Sequence, residues 1–158
     1  MIAQPARLFR VFSLAITVLA LSACASNPAA TPSSQAVSKG ERAAIIALDQ
    51  VGVPYRYGGA TPQGFDCSGL VQFSYSRAGV TVPRTTGQLW SASRTVGQDD
   101  LRAGDLLFFR IDGKMSHVAM YLGEQRFVHA PQSGRTVSVG SLESPFYESA
   151  LIRAARPY

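Results

Sequence analysis

The spacing of apolar residues changes near position 105, and this change constrains the fold more than any other feature of the chain. Before it, apolar residues recur at helical spacing between capping and stop signals. Ser38 followed by Glu41 is a capping box that opens a helix expected over 39–50, and Gly52 and Pro54 stop it. Asp66 caps a second helix faced by Leu70, Val71, Phe73 and Tyr75, with Gly79 past its end. Thr85 caps a short third helix running through Gln88, Leu89 and Trp90. Beyond 105 the pattern becomes short runs rich in branched and aromatic residues, at 105–111, 117–122, 126–129, 136–139 and 150–155. Turn signals separate them, and Asp112-Gly113 is the strongest. Helices first and strands later predict an α+β domain, with N-terminal helices packed on a central antiparallel sheet. It should occupy residues 38–158, while 53–65, with three Gly and two Pro, reads as loop.

The segment before it has a different character. Arg7 and Arg10 precede an apolar run at 11–21, which suits a secretion signal over 1–23 and is short for a membrane-spanning helix. The run ends in Leu21-Ser22-Ala23-Cys24, which resembles a bacterial lipobox. That resemblance implies a lipidated Cys24 and a membrane anchor without a spanning helix. Ala25, not Asp, follows the cysteine, which by the same resemblance implies the periplasmic face of the outer membrane. Residues 24–37 are mostly small and polar and read as a flexible tether. The net charge of +5 includes no Lys or Arg cluster, so nucleic acid is not an expected partner. The protein is expected to be a monomer.

If Cys24 carries lipid, Cys67 is the remaining cysteine of the two in the chain. It falls at the first position of the second helix, where unpaired amides and the helix dipole favour a thiolate and can stabilise an oxyanion. The two histidines, His117 and His129, fall on strands joined by a short turn at 123–125. With a three-residue turn, 121 pairs with 127 and 119 with 129. His117 and His129 then share a sheet face and sit diagonal to one another. A turn one residue longer or shorter would separate them. The pattern predicts a nucleophilic thiol, His117 as its general base, and His129 holding His117 in the right tautomer. Asp66 is read as a helix cap, Asp105 as a turn residue, and Arg56 as a candidate contact for a substrate carboxylate. Trp90 and Phe146 are candidates for a cleft wall or for core packing.

Three blocks, Phe65-Asp66-Cys67-Ser68-Gly69-Leu70-Val71, Ser116–Gly123 and Phe127-Val128-His129-Ala130, resemble the signature blocks of the NlpC/P60 cell-wall peptidases. Pro54-Tyr55-Arg56-Tyr57-Gly58-Gly59 and Arg102–Phe109 are similar to two more, so the resemblance covers residues 40–156. It implies a papain-like fold, with Cys67 as nucleophile, His117 as base and His129 as orienter. It also implies that Tyr55 positions the carbonyl or steadies the oxyanion, although Tyr57 lies two residues away. The implied substrate is the stem peptide of peptidoglycan, with no cofactor and no metal. The implied bond is the D-Ala–diaminopimelate crosslink, with γ-D-Glu–diaminopimelate as the alternative. Two other readings stay open: zinc held by Cys67, His117 and His129, and a non-catalytic wall-binding lipoprotein. The sequence names no regulatory partner.

Overall fold

The computed structural model describes residues 36–158. The expected signal segment, Cys24 and all but the end of the tether lie outside the described residues. Helix α1 is Lys39–Leu48, and Ser38 Oγ accepts from the Glu41 amide at its start. A small hairpin follows, β1 (Ala60–Thr61) against β2 (Gly64–Phe65), inside the stretch expected to be loop. Helix α2 is Cys67–Arg77 with Asp66 as N-cap. Helix α3 is Thr86–Ala92, closed at its start by the reciprocal Thr85–Gln88 box.

The strands are β3 (Arg94–Thr95), β4 (Leu106–Ile111), β5 (Lys114–Gly123), β6 (Arg126–His129), β7 (Ser138–Ser141) and β8 (Leu151–Arg156). A helix α4, Pro145–Ala150, precedes β8. All pairings in the six-stranded sheet are antiparallel, in the order β3-β8-β4-β5-β6-β7. The predicted α+β architecture is therefore observed. Asp112 and Gly113, both at positive φ, make the tight β4–β5 turn.

Alternation along the central strands gives the sheet two apolar faces. Leu106, Phe108, Val118, Met120 and Val128 pack against α1 and α2, together with Leu70, Val71 and Tyr75. Leu107, Phe109, Ala119, Tyr121 and Phe127 face the other way, toward Leu142, Ala150 and Tyr147. Burying each large side chain contributes roughly 1.5–3 kcal/mol, so both faces hold the sheet rigid beneath the site.

Two local expectations need correction, and one open alternative is decided. The 136–139 run begins its strand only at Ser138, because Thr136 and Val137 pair instead with Pro54 and Val53. Asp105 is more than a turn residue. It is almost fully buried, accepts from the Arg102 amide at 2.9 Å, and receives the Arg156 guanidinium at 2.6 and 2.7 Å. Trp90 packs edge-on against Phe108 and lies under the Arg153 guanidinium, as core rather than as a cleft wall.

Candidate active site

Asp66 fixes the start of α2. Its carboxylate accepts from the Gly69 amide at 2.7 Å as the N-cap and from the Gly58 amide at 3.0 Å. Arg84 closes on it with two nitrogens, at 2.9 and 2.7 Å, and also reaches Ser68 Oγ and the Gly59 carbonyl. Burial alone would raise the Asp66 pKa. The Arg84 hydrogen bond, the two backbone amides and the Arg84 charge outweigh it and hold the carboxyl below its ordinary value. The first turn of α2 also needs glycine at position 69, since a Cβ there would collide with the Gly59 carbonyl. Asp66 is thus a cap, as expected, and also one half of an ion pair that local sequence does not signal.

Cys67 follows directly, half-buried at the first position of α2. Strand β6 ends at His129, so no strand covers the edge of β5 beyond it. The sulfur sits at that uncovered edge. Cys67 Sγ lies 4.0 Å from the Ser116 carbonyl oxygen, 3.7 Å from Thr86 Oγ1, and is also met by the Val118 amide. It makes no hydrogen bond to either imidazole. A helix start by itself favours the thiolate. The structure reverses that direction: burial pushes the thiol pKa up, and hydrogen bonds from Val118 and Thr86 only partly offset it.

The two histidines meet as the register argument predicts. Tyr121 opposes Phe127 and Met120 opposes Val128. The connection is different in detail: Glu124 and Gln125, both at positive φ, form a two-residue turn. A register shift between Tyr121 and Gly123 supplies the extra residue and restores the same net pairing. His117 Nε2 lies 2.8 Å from His129 Nδ1. Both rings are buried, at 5% and 3% exposure, and Phe109, Phe127 and Tyr147 pack around them. Burial, and for His117 also the neighbouring imidazole, pushes their pKa values down to about 3 for His117 and about 4 for His129. At neutral pH the site therefore holds a neutral thiol and two neutral imidazoles.

The surface at this point is hollowed in two parts, Ser116 lining one and the next residue, His117, the other. One part, about 470 Å³, is lined by Tyr55, Tyr57, Asp66, Cys67, Arg84 and Ser116. The other, about 390 Å³, is lined by His117, His129, Gln132, Arg135, Phe146 and Tyr147, among others. Tyr55 is half-buried, and its amide is tied to the Arg135 carbonyl at 2.8 Å, whereas Tyr57 is 89% exposed. Burial raises the Tyr55 pKa, with smaller contributions from Cys67, Asp66 and Tyr57, so its hydroxyl stays protonated and able to donate. Phe146 lines the groove, as one of its two readings proposed. Arg56 lines neither part; its stem packs over Gly64. Arg84 and Arg135 are the groove cations that sequence reasoning missed. Among the described residues, no three His, Cys, Asp or Glu side chains are placed to share a metal ion.

A cysteine at a helix start, set against an antiparallel sheet whose strands carry paired imidazoles, defines a papain-like α+β protein. The chain belongs to the NlpC/P60 family, whose sequence profile matches residues 52–156. It is 39% identical over 113 residues to the probable endopeptidase YafL of Escherichia coli K12, covering 68% of this chain and 45% of that one. It is 34% identical over 115 residues to the murein DD-endopeptidase MepH of the same organism, covering 69% and 42%. It is 36% identical over 109 residues to a γ-D-glutamyl-L-lysine dipeptidyl-peptidase of Bacillus subtilis 168, covering 67% and 37%. The chain thus spans less than half the length of these relatives. A crystal structure of a protein similar to lipoprotein, of the NLP/P60 family, from Staphylococcus aureus superposes with a TM-score of 0.67 at 37% identity. That superposition covers 75% of this chain and 41% of the other.

Buried neutral imidazoles tie stability to pH. Their folded pKa values lie below the unfolded value of 6.5, so on acidification the unfolded chain takes up protons that the folded chain refuses. Stability should fall as pH drops below about 6.5 and stay flat, as far as these groups are concerned, above it. Between pH 6.5 and 5 the expected loss is on the order of 2–4 kcal/mol in urea unfolding. His129→Gln should make that slope shallower. A flat profile over this window would contradict buried, neutral imidazoles.

Proposed function

We infer that the protein is a cysteine peptidase of the cell wall that hydrolyses amide bonds in peptidoglycan stem peptides. The observation that carries this reading is the imidazole pair beside a half-buried thiol at a helix start, His117 Nε2 being 2.8 Å from His129 Nδ1. The relatives' names, murein endopeptidase and γ-D-glutamyl-L-lysine peptidase, point to the same substrate class.

The hydrogen bond between the rings dictates the tautomers. For His117 to accept a proton, its Nε2–H must donate to His129 Nδ1, which leaves His117 Nδ1 bare. His129 then carries its proton on Nε2. As substrate binds, the Cys67 thiol passes its proton to His117 Nδ1 while the sulfur attacks the scissile carbonyl. This transfer requires the His117 ring to close on a sulfur that rests against the carbonyl of Ser116, the neighbouring residue. The developing oxyanion is met by amides at the start of α2 and by the Tyr55 hydroxyl. The C–N bond then breaks, His117 returns its proton to the leaving amine, and a thioester remains on Cys67. Water, deprotonated by His117, releases the acid product and regenerates the thiol. His129 accepts a hydrogen bond from His117 throughout and stabilises the transient imidazolium.

The preferred bond is the D-Ala–diaminopimelate crosslink, in line with MepH being named a DD-endopeptidase. The second reading, γ-D-Glu–diaminopimelate, is favoured by the resemblance to the Bacillus subtilis enzyme. A wall-binding protein without activity is the remaining alternative. Digestion of purified sacculi separates the three. New D-Ala termini in the released fragments identify crosslink cleavage, and new γ-D-Glu termini identify the second bond. Fragments from neither bond, with binding retained, would leave the wall binder. Cys67→Ala should lower turnover by at least about 10³-fold; unchanged activity would remove Cys67 from the mechanism.

The domain is proposed to be held by lipid on Cys24 at the periplasmic face of the outer membrane, with residues 24–37 as tether. In cells, radiolabelled palmitate should enter the unaltered protein and not Cys24→Ser. Equal labelling of both would overturn the anchor.

A further inference from the structure

The two parts of the groove differ in charge. On the thiol side, the guanidinium of Arg84 is engaged by the Asp66 carboxylate, and that ion pair is held by five further hydrogen bonds. On the imidazole side, Arg135 is the one charged side chain among the lining residues, and no carboxylate lines that part. Arg135 makes no salt bridge among the described residues. Its position is set by its backbone: the Arg135 carbonyl accepts the Tyr55 amide at 2.8 Å, and the Arg135 amide donates to the Gln132 carbonyl at 3.1 Å. Thr136 and Val137, next along the chain, pair with Pro54 and Val53. The main chain carrying Arg135 is therefore stitched to the main chain carrying Tyr55, while the guanidinium has no hydrogen-bond or salt-bridge partner among the described residues.

The chemistry assigns directions to the two parts. The acyl group ends on Cys67 sulfur, next to Tyr55. The leaving amine must be reached by the imidazole that protonates it, so the leaving half of the substrate lies in the part lined by His117, His129 and Arg135. We propose that Arg135 is a specificity residue that binds a free carboxylate on the carbon next to the leaving nitrogen. This rests on the peptidase reading above and deepens it. An amine leaving from the D-Ala–diaminopimelate crosslink carries such a carboxylate. The amine leaving from γ-D-Glu–diaminopimelate within a longer stem does not, because that carboxyl is already engaged in the next peptide bond. A planar guanidinium suits this group, since it can donate two parallel hydrogen bonds to one carboxylate.

The test compares two crosslinked stem-peptide substrates that differ only in that carboxyl, free in one and amidated in the other. The unaltered protein should prefer the free carboxylate by about tenfold in kcat/KM, mostly through KM, as expected for one charge-assisted contact at a solvated site. Arg135→Gln should bring the ratio near one by weakening only the carboxylate substrate, and Arg135→Lys should restore part of it. Arg135→Gln lowering both substrates equally, or neither, would overturn the proposal. So would a ratio near one in an unaltered protein that cleaves both through Cys67. If the unaltered protein cleaves neither substrate, the peptidase reading fails and this proposal goes with it.

Discussion

The Asp66 carboxylate holds together the three segments on which the site depends. It caps α2, pins the Gly58–Gly59 turn, and receives Arg84 from the segment that leads into α3. Partly exposed ion pairs contribute at most about 1 kcal/mol to stability, and an N-cap typically about 1 kcal/mol. The energy is modest; the consequence is positional. With the helix start fixed to neighbours on both sides, Cys67 has one place to go, the edge of β5 left bare where β6 ends. The depressed pKa of Asp66 has the same origin, because these partners favour the charged carboxylate over the neutral one.

Two opposing effects act on the sulfur, and their magnitudes decide its resting state. A helix start contributes about 0.3–1 kcal/mol toward the anion, up to about 2 kcal/mol when partly buried. Removing a charge from water costs more than that unless a counter-charge stands beside it. Among the described residues no free counter-charge stands there: both imidazoles are neutral for the same reason of burial, and the Arg84 cation is paired with Asp66. The thiol therefore rests protonated, and in the proposed mechanism its proton passes to His117 only as the reaction proceeds. Apolar packing by Phe109, Phe127 and Tyr147 does double duty, since it orients the rings and lowers their basicity.

Much of this was legible in the sequence, and the parts that were not share a cause. Helix starts were readable because caps are local: Ser38, Asp66 and Thr85 each act within three residues. The imidazole pair was readable because side-chain alternation and turn length fix which residues share a face, and the Glu124-Gln125 turn with its compensating shift kept that parity. Helix α4 was missed although Ser144-Pro145 is a start signal, because six residues carry too little periodicity to stand out. Hairpin β1–β2 was missed for the same reason, with two residues per strand. Arg84 and Arg135 were missed because their partners are set by tertiary placement: Arg84 reaches Asp66 eighteen residues away, and Arg135 enters the groove only because its loop pairs with the Tyr55 segment. The resting state of Cys67 was misjudged for a related reason. Its dipole is a local property and its burial is not.

The pH dependence of Cys67 alkylation tests the resting state most directly. The measurement uses the Cys24→Ser chain, so that one thiol reacts, and follows the iodoacetamide rate from pH 5 to 10. A neutral thiol with a raised pKa predicts a rate that climbs about tenfold per pH unit through neutrality and levels off only above about pH 9. A plateau persisting below pH 6, as a preformed thiolate–imidazolium pair gives, would contradict the account.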